Sequence, residues 1–310
     1  MVSALLSVLL PTFGLVFLGF LARRIKVWNG SAAEVLNRYA YYFALPALIF
    51  ESVKNIDPAR ITGQAEVRLI FGVVAVHLFV FATLAAISGF RFISKETKAM
   101  LPIVAAVGST AYLGIPFVTY AFGDEYTAIA SILSASLIVP LIFISVFWLN
   151  HHGHAREKSA SWHRLLELPI LWAVLAGLIW PIFNLSDLPI YANRFLAILS
   201  GSAGPTALLA LGAFEYDIKL RDLPWLRGVI LAGIKTFGMT VLVFFVLRTL
   251  GVSGAYLFVG SAMSATSVAI TASVLAGEYQ VGQKLVVSTI MLSTFFSLIA
   301  LGAISVLYVI

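Results

Sequence analysis

Three places in this sequence carry side chains that could do chemistry, and each lies in apolar surroundings. The first is the run Val107-Gly108-Ser109-Thr110-Ala111-Tyr112-Leu113-Gly114-Ile115-Pro116. Proline removes a backbone donor and disturbs the turn before it, and flanking glycines lower the resistance to unwinding. A helix broken near Gly114 would leave Pro116 in the first turn of the following half, where its missing N–H costs nothing. The plainer outcome is a proline kink. The second place is Gly260-Ser261-Ala262-Met263-Ser264-Ala265-Thr266-Ser267-Val268-Ala269-Ile270-Thr271. Small residues there permit close helix crossing, and the hydroxyls can serve freed backbone groups or a ligand; ordinary small-residue packing explains the same composition. The third is Lys235, alone in the apolar stretch Gly228–Leu247. A lysine at the centre of a bilayer costs about 2.5–3.5 kcal/mol on insertion scales and usually faces a cavity or a partner. It could neutralise an anion, cycle a proton or form a structural ion pair. His77 on its own apolar segment reads first as a hydrogen-bonded core residue. His151, His152, His154 and His163 read as a solvated loop.

The chemistry these residues suggest is binding. Amides and carbonyls freed inside a membrane must be satisfied by protein, water or ligand, so a break implies a wet cavity or a site. Half-helix N-termini offer partial positive charge to a carboxylate. Catalysis finds no foothold: HExxH, GxSxG, Walker A and an aspartate-rich pair are all absent. The chain has no cysteine, which excludes a disulfide framework, a cysteine zinc site, an iron–sulfur cluster and a thiol nucleophile. No cofactor or metal is expected.

The elements that must hold these residues are membrane spans. Of 310 residues, 61% are hydrophobic and 11% charged, and the mean hydropathy is +1.00. A soluble chain is about 45–50% apolar and roughly 25% charged, and so few charges cannot coat a water-soluble body. A span takes about 20 apolar residues. Ten candidates follow: Met1–Ala22, Ala33–Val53, Leu69–Phe90, Ala99–Phe122, Tyr126–Leu149, Leu165–Phe183, Phe195–Phe214, Gly228–Leu247, Val252–Ala276 and Leu285–Ile310. The second is the weakest, because Arg38 and Pro46 require it to snorkel or to be discontinuous. The first lacks a basic n-region and reads as a span, not a signal peptide.

With ten spans, fourteen of the twenty Lys and Arg fall on one side, five on the other, and Lys235 between. Basic loops stay cytoplasmic, so both termini are expected outside and the 151–164 loop inside, in a multi-pass plasma (inner) membrane protein. That loop divides the chain into 1–150, with spans 1–5, and 165–310, with spans 6–10. Pro11 and Pro169 lie 158 apart, Pro46 and Pro205 159, and His77 and Lys235 158. Five spans per copy would insert the second half with inverted topology.

The segments LLPTFGLVFLGFLARR, Ala44-Leu45-Pro46-Ala47-Leu48-Ile49-Phe50, LGIPF at Leu113–Phe117, the glycine-proline stretch before ALLALGAFE, and SVLAGEY at Ser273–Tyr279 resemble the auxin efflux carrier family. The resemblance runs nearly end to end, without the large cytoplasmic domain of the long plant members. It implies an all-α integral membrane fold, ten transmembrane helices as two inverted five-helix repeats, with discontinuous helices 4 and 9 crossing. It also implies a secondary carrier of small organic anions, auxin-like or dicarboxylate, working by alternating access of the elevator type, with spans 1, 2, 6 and 7 as scaffold. Carried residue by residue, the helix 4 crossover falls on Gly114 and Pro116, and Ser109 stands where an asparagine is frequent. The proline usual at the helix 9 crossover is missing, with Ala272 or Ser264 in its place. Helix 9 lacks the carboxylates of sodium sites in bile-acid-type relatives, so sodium coupling is not expected. The expected substrate-binding set is Ser109, Thr110, Tyr112, Gly114, Pro116, Lys235, Thr266, Ser267 and Thr271. The implied partners are a small organic anion and the lipid bilayer, with a homodimer left open and no nucleic acid. A channel or ligand sensor built on the same broken helices is the alternative, and a membrane enzyme a more distant one.

Overall fold

The computed structural model describes residues 2–55, 63–88, 94–152, 169–183, 185, 188–216 and 223–309. Residues 153–164 of the expected cytoplasmic loop, with His154 and His163, lie outside the described residues, as do Arg60, Arg91, Lys219 and Arg221 of the charge pattern. Every regular element described is a helix; the one bridge between extended residues is isolated. Among the described residues five helices are long and apolar enough to cross a membrane: Gln64–Ile87, Asp124–His152, Ile190–Tyr216, Trp225–Thr249 and Gln283–Tyr308. Shorter apolar helices cover Thr110–Phe122 and Pro169–Pro181. Large apolar side chains on the outside, such as Phe17, Ile198 and Leu226, suit lipid contact, since a bilayer rewards what water would penalise.

The helices, in chain order, are α1 (Val2–Arg24), α2 (Gly30–Tyr39), α3 (Leu45–Lys54), α4 (Gln64–Ile87), α5 (Lys95–Ala106), α6 (Ile115–Phe122), α7 (Thr127–His152), α8 (Pro169–Ile182), α9 (Ile190–Tyr216), α10 (Trp225–Gly233), α11 (Met239–Thr249), α12 (Gly254–Ser264), α13 (Ile270–Glu278) and α14 (Gln283–Val309). Their ends follow local chemistry. Asn29 caps α2 by accepting the Ala32 N–H at 2.8 Å, and Ser94 accepts the Thr97 N–H at the start of α5, each satisfying a first-turn donor. Arg23 and Arg24 fill the last turn of α1, where the helix dipole favours cations.

Three π-helical turns, Ala40–Ala44, Thr110–Gly114 and Ile234–Gly238, join α2 to α3, lead into α6, and join α10 to α11. Through the first, the helical chain from Gly30 to Lys54, where the second span was expected, runs on without a break. Pro46 cannot donate, and the wider turn, with the Leu45 N–H reaching Ala40 O, carries the helix past it.

The chain forms two compact units, each drawing on both halves of the sequence. The first unit comprises Met1–Val67, Ala111–Ala135 and Leu168–Asp217. In it α1 and α9 cross so closely that Gly19 faces the Leu209 carbonyl and Gly212 faces the Val16 carbonyl. Polar ties hold α9 to its neighbours: Lys54 Nζ donates to Asn193 Oδ1 at 2.6 Å, and the Tyr39 and Ser202 hydroxyls lie 2.8 Å apart. The second unit comprises Arg68–Thr110, Ser136–Glu167 and Ile218–Ile310. There Trp148 Nε1 donates to the Ala99 carbonyl at 3.0 Å, and the Tyr279 hydroxyl donates to Asn150 Oδ1 at 3.0 Å. Many buried hydroxyls do no more than bond the carbonyl four residues back in their own helix, as Ser131 does to Thr127 and Ser261 to Leu257. Such bonds are local and point to no site.

Candidate functional site

In the second unit α5 ends at Ala106, and Val107 turns extended, with φ −86° and ψ 105°. Two interruptions face each other across the unit, at Val107–Ser109 and at 265–269 between α12 and α13. The break in the expected fourth span therefore precedes the position near Gly114 that the proline suggested. Gly114 and Pro116 instead lie inside a continuous helix, because the π turn at Thr110–Gly114 accommodates the proline. The expected ninth span is also interrupted, between α12 and α13, although it holds no proline. Its small residues let the facing chain approach, and that chain's backbone supplies the bonds the helix gives up.

The two extended stretches pair antiparallel at Gly108 and Val268. The Ser109 N–H donates to the Ser267 carbonyl at 2.7 Å, and the Ala269 N–H donates to the Val107 carbonyl at 3.1 Å. Several of the dipoles that a double break was expected to lay bare are thus consumed by each other. Side chains take others. Ser293 Oγ accepts the Val268 N–H at 2.9 Å, Ser297 Oγ donates to the Ala265 carbonyl at 2.7 Å, and Lys235 Nζ donates to the Ser264 carbonyl at 2.9 Å. Thr266 Oγ1 donates to the Met263 carbonyl at 2.9 Å.

What stays open is narrower and better defined. The helix α13 starts after Ala269, which is extended and gives no side-chain cap, and the first N–H groups of a helix have no intrahelical partner. Just before it, the Ser267 hydroxyl is buried with no hydrogen-bond partner among the described residues. An unmatched buried hydroxyl costs about 1–3 kcal/mol, and beside an uncapped helix N-terminus its natural complement is an oxyanion. Lys235 is fully buried near the middle of the helix Trp225–Thr249. Gly108 makes room for it: a Cβ at that position would lie 2.7 Å from Thr266 Oγ1 and 3.0 Å from Lys235 Nζ.

Of the expected set, the second unit gathers Ser109, Lys235, Thr266 and Ser267 around the paired breaks, with Thr110 buried beside Ser109 and Thr271 partly exposed in the first turn of α13. Tyr112, Gly114 and Pro116 belong to the first unit. There the Tyr112 hydroxyl donates to Asn37 Oδ1 at 2.9 Å. Pro116 lines a cavity of about 800 Å³ walled also by Glu51, Ser52, Tyr120, Asp124 and Ser200, in which the Ser200 hydroxyl bonds the Glu51 carboxylate. His77 Nδ1 lies 2.8 Å from the Val73 carbonyl, as a core histidine would, while its Nε2 has no partner among the described residues. Among the described residues no grouping of His, Asp and Glu could hold a metal ion.

Residue-type reasoning passed over Ser293 and Ser297. Their signal was available as two hydroxyls spaced i, i+4 on one face of an apolar helix. Replacing both by alanine strands the buried Val268 N–H and Ala265 carbonyl, at about 1–3 kcal/mol each. Thermal melting in detergent is expected to fall by several degrees for the double variant Ser293→Ala/Ser297→Ala. Ser131→Ala, which removes only a bond within its own helix, is expected to stay near the wild type; equal melting of all three would contradict the assignment.

Comparison with known proteins agrees with the reading of a membrane protein. Residues 4–305 match the family described as membrane transport protein. An uncharacterized transporter of Methanothermobacter thermautotrophicus is 30% identical over 295 residues, covering 93% of each chain. A putative malonate transporter of Rhizobium meliloti is 26% identical over 303 residues, covering 94% of this chain and 92% of its own. Auxin efflux carrier component 8 of Arabidopsis thaliana is 22% identical over 296 residues, covering 78% and 77%.

Proposed function

The chain belongs to the membrane transport protein family, that of the auxin efflux carriers, and on that premise we propose that it is a secondary carrier of small organic anions. The observation that carries the reading is the buried, unpartnered Ser267 hydroxyl at the uncapped start of α13, held where two broken helices pair. A carboxylate there accepts from the hydroxyl and from the first amides of the half-helix, and the helix dipole favours its charge. Thr271, in the first turn of α13, adds a hydroxyl, Ser109 lies on the facing extended stretch with Thr110 at the start of the π turn that follows it, and Thr266 and Lys235 stand behind.

In this reading the ten spans form two inverted repeats, 1–150 and 165–310, joined by the 151–164 loop on the cytoplasmic side of the plasma membrane, with both termini outside. Alternating access follows from movement of the unit that carries the crossover against the other as scaffold. Support comes in part from the division of the molecule itself: the first unit contains spans 1, 2, 6 and 7, and the second contains 3, 8, 9 and 10, while spans 4 and 5, expected wholly in the moving part, are each divided between the two. Malonate is the first substrate to try, because the Rhizobium meliloti relative is a putative malonate transporter.

The test is counterflow. Proteoliposomes loaded with unlabelled malonate are expected to accumulate labelled malonate faster than empty ones, saturably. Ser267→Ala is expected to lower kcat/KM by about 10- to 150-fold, the loss of one hydrogen bond to a charged group at about 1.5–3 kcal/mol. Conduction without trans-stimulation would identify a channel, and binding without any flux a sensor. Equal counterflow in wild type and Ser267→Ala would remove the site.

A further inference from the structure

Lys235 has three donors, and the structure shows where its charge goes. The ammonium donates to the carbonyl of Ser264, the last residue of α12, at 2.9 Å. A helix that stops inside a protein leaves its final carbonyls without partners and the negative end of its dipole uncompensated. In water, solvent would serve both. Here the side chain is fully buried, and among the described residues no carboxylate pairs with it. The other carbonyls at this end are met by neutral groups: Ala265 N–H takes those of Ser261 and Ala262, and Thr266 Oγ1 takes that of Met263. Among the described residues Lys235 supplies the only cation at this end. Its helix widens into the π turn Ile234–Gly238 at this residue, and Gly108 of the facing strand leaves space for the ammonium.

We infer that Lys235 is a tethered counter-cation for the C-terminal end of α12, a positioning residue that holds the break open and takes the place of a bound metal or organic cation. Its role is to fix the break from which α13 starts, so it acts on an anion through the half-helix and not by touching it. The inference rests on the geometry of α12 and Lys235 and stands or falls apart from the carrier reading.

The experiment needs no transported substrate. Truncation to alanine removes three methylenes and the ammonium, so propylammonium is the missing piece and 1-propanol its neutral counterpart. Purified Lys235→Ala is expected to melt about 5–10 °C below the wild type. Propylammonium chloride at tens of millimolar is expected to restore at least half of that deficit, with 1-propanol at the same concentration restoring little and wild-type melting moving by less than about 1 °C. Equal recovery by 1-propanol would mean that lysine only fills volume, and overturns the inference. So does the absence of a deficit, or a deficit that propylammonium leaves untouched. Lys235→Met keeps the volume and serves if Lys235→Ala does not purify: it must also melt low, and a wild-type melting point overturns the assignment. In malonate-loaded proteoliposomes propylammonium should likewise return Lys235→Ala counterflow while leaving its KM within about twofold of wild type; a KM raised tenfold with kcat intact would place the ammonium on the substrate and sink the positioning role.

Discussion

Gly212→Val is expected to abolish recovery of folded protein. A Cβ at Gly212 would fall inside the van der Waals radius of the Val16 carbonyl, and the reciprocal contact sets Gly19 against the Leu209 carbonyl. Both obstacles are backbone, so no rotamer change relieves them; α1 and α9 must separate. Overpacking of a core costs about 1–3 kcal/mol even where side chains can shift, and here the cost should exceed that range. Between membrane helices the attraction comes mainly from such close packing, since lipid is as apolar as the side chains it replaces. Fluorescence-detected size exclusion should show aggregate for Gly212→Val and a single sharp peak for Gly14→Ala, whose Cβ meets only the Leu10 side chain at an ordinary 3.4 Å. A sharp, wild-type peak from Gly212→Val would mean the two helices do not touch as described.

Gly108→Ala is the second large effect, this time on transport. The added methyl would stand 2.7 Å from Thr266 Oγ1 and 3.0 Å from Lys235 Nζ. Neither neighbour can retreat cheaply: Thr266 is tied to Met263 O, Lys235 to Ser264 O, and both are fully buried. The strand carrying Gly108 must therefore move outward, lengthening the 2.7 Å bond from Ser109 N–H to Ser267 O and shifting the Ser267 hydroxyl. A displacement of about 1 Å at a positioned group is enough to lose about 100-fold. Malonate counterflow is expected to fall below about one hundredth of wild type. Gly233→Ala, with nothing within 4 Å of its Cβ, is expected to retain full activity. Normal counterflow in Gly108→Ala would show that the approach of the two strands is not needed.

Much of this was legible from residue types. Apolar runs of membrane length, the anomalous Lys235, and hydroxyl-rich small-residue stretches around Ser109 and Ser267 marked where polar chemistry enters the bilayer. Proline was the misleading sign. Pro116 drew the break toward Gly114 and Pro46 made the second span suspect, yet both are absorbed by π turns, while the ninth span breaks with no proline at all. Local rules describe what a proline forbids; they do not say which nearby turn will yield.

The sequence by itself determined the solvent, the helical class and the short list of polar residues inside the membrane, because those depend on composition and on one segment at a time. Tertiary structure alone decided which of these residues meet. The pairing of Val107–Ser109 with Ser267–Ala269, the service of Ser293 and Ser297 to the breaks, and the delivery of the Lys235 ammonium to the end of α12 all join residues far apart in the chain. A freed backbone group can be satisfied by any donor or acceptor that packing brings within about 3 Å, and packing is a property of the whole fold.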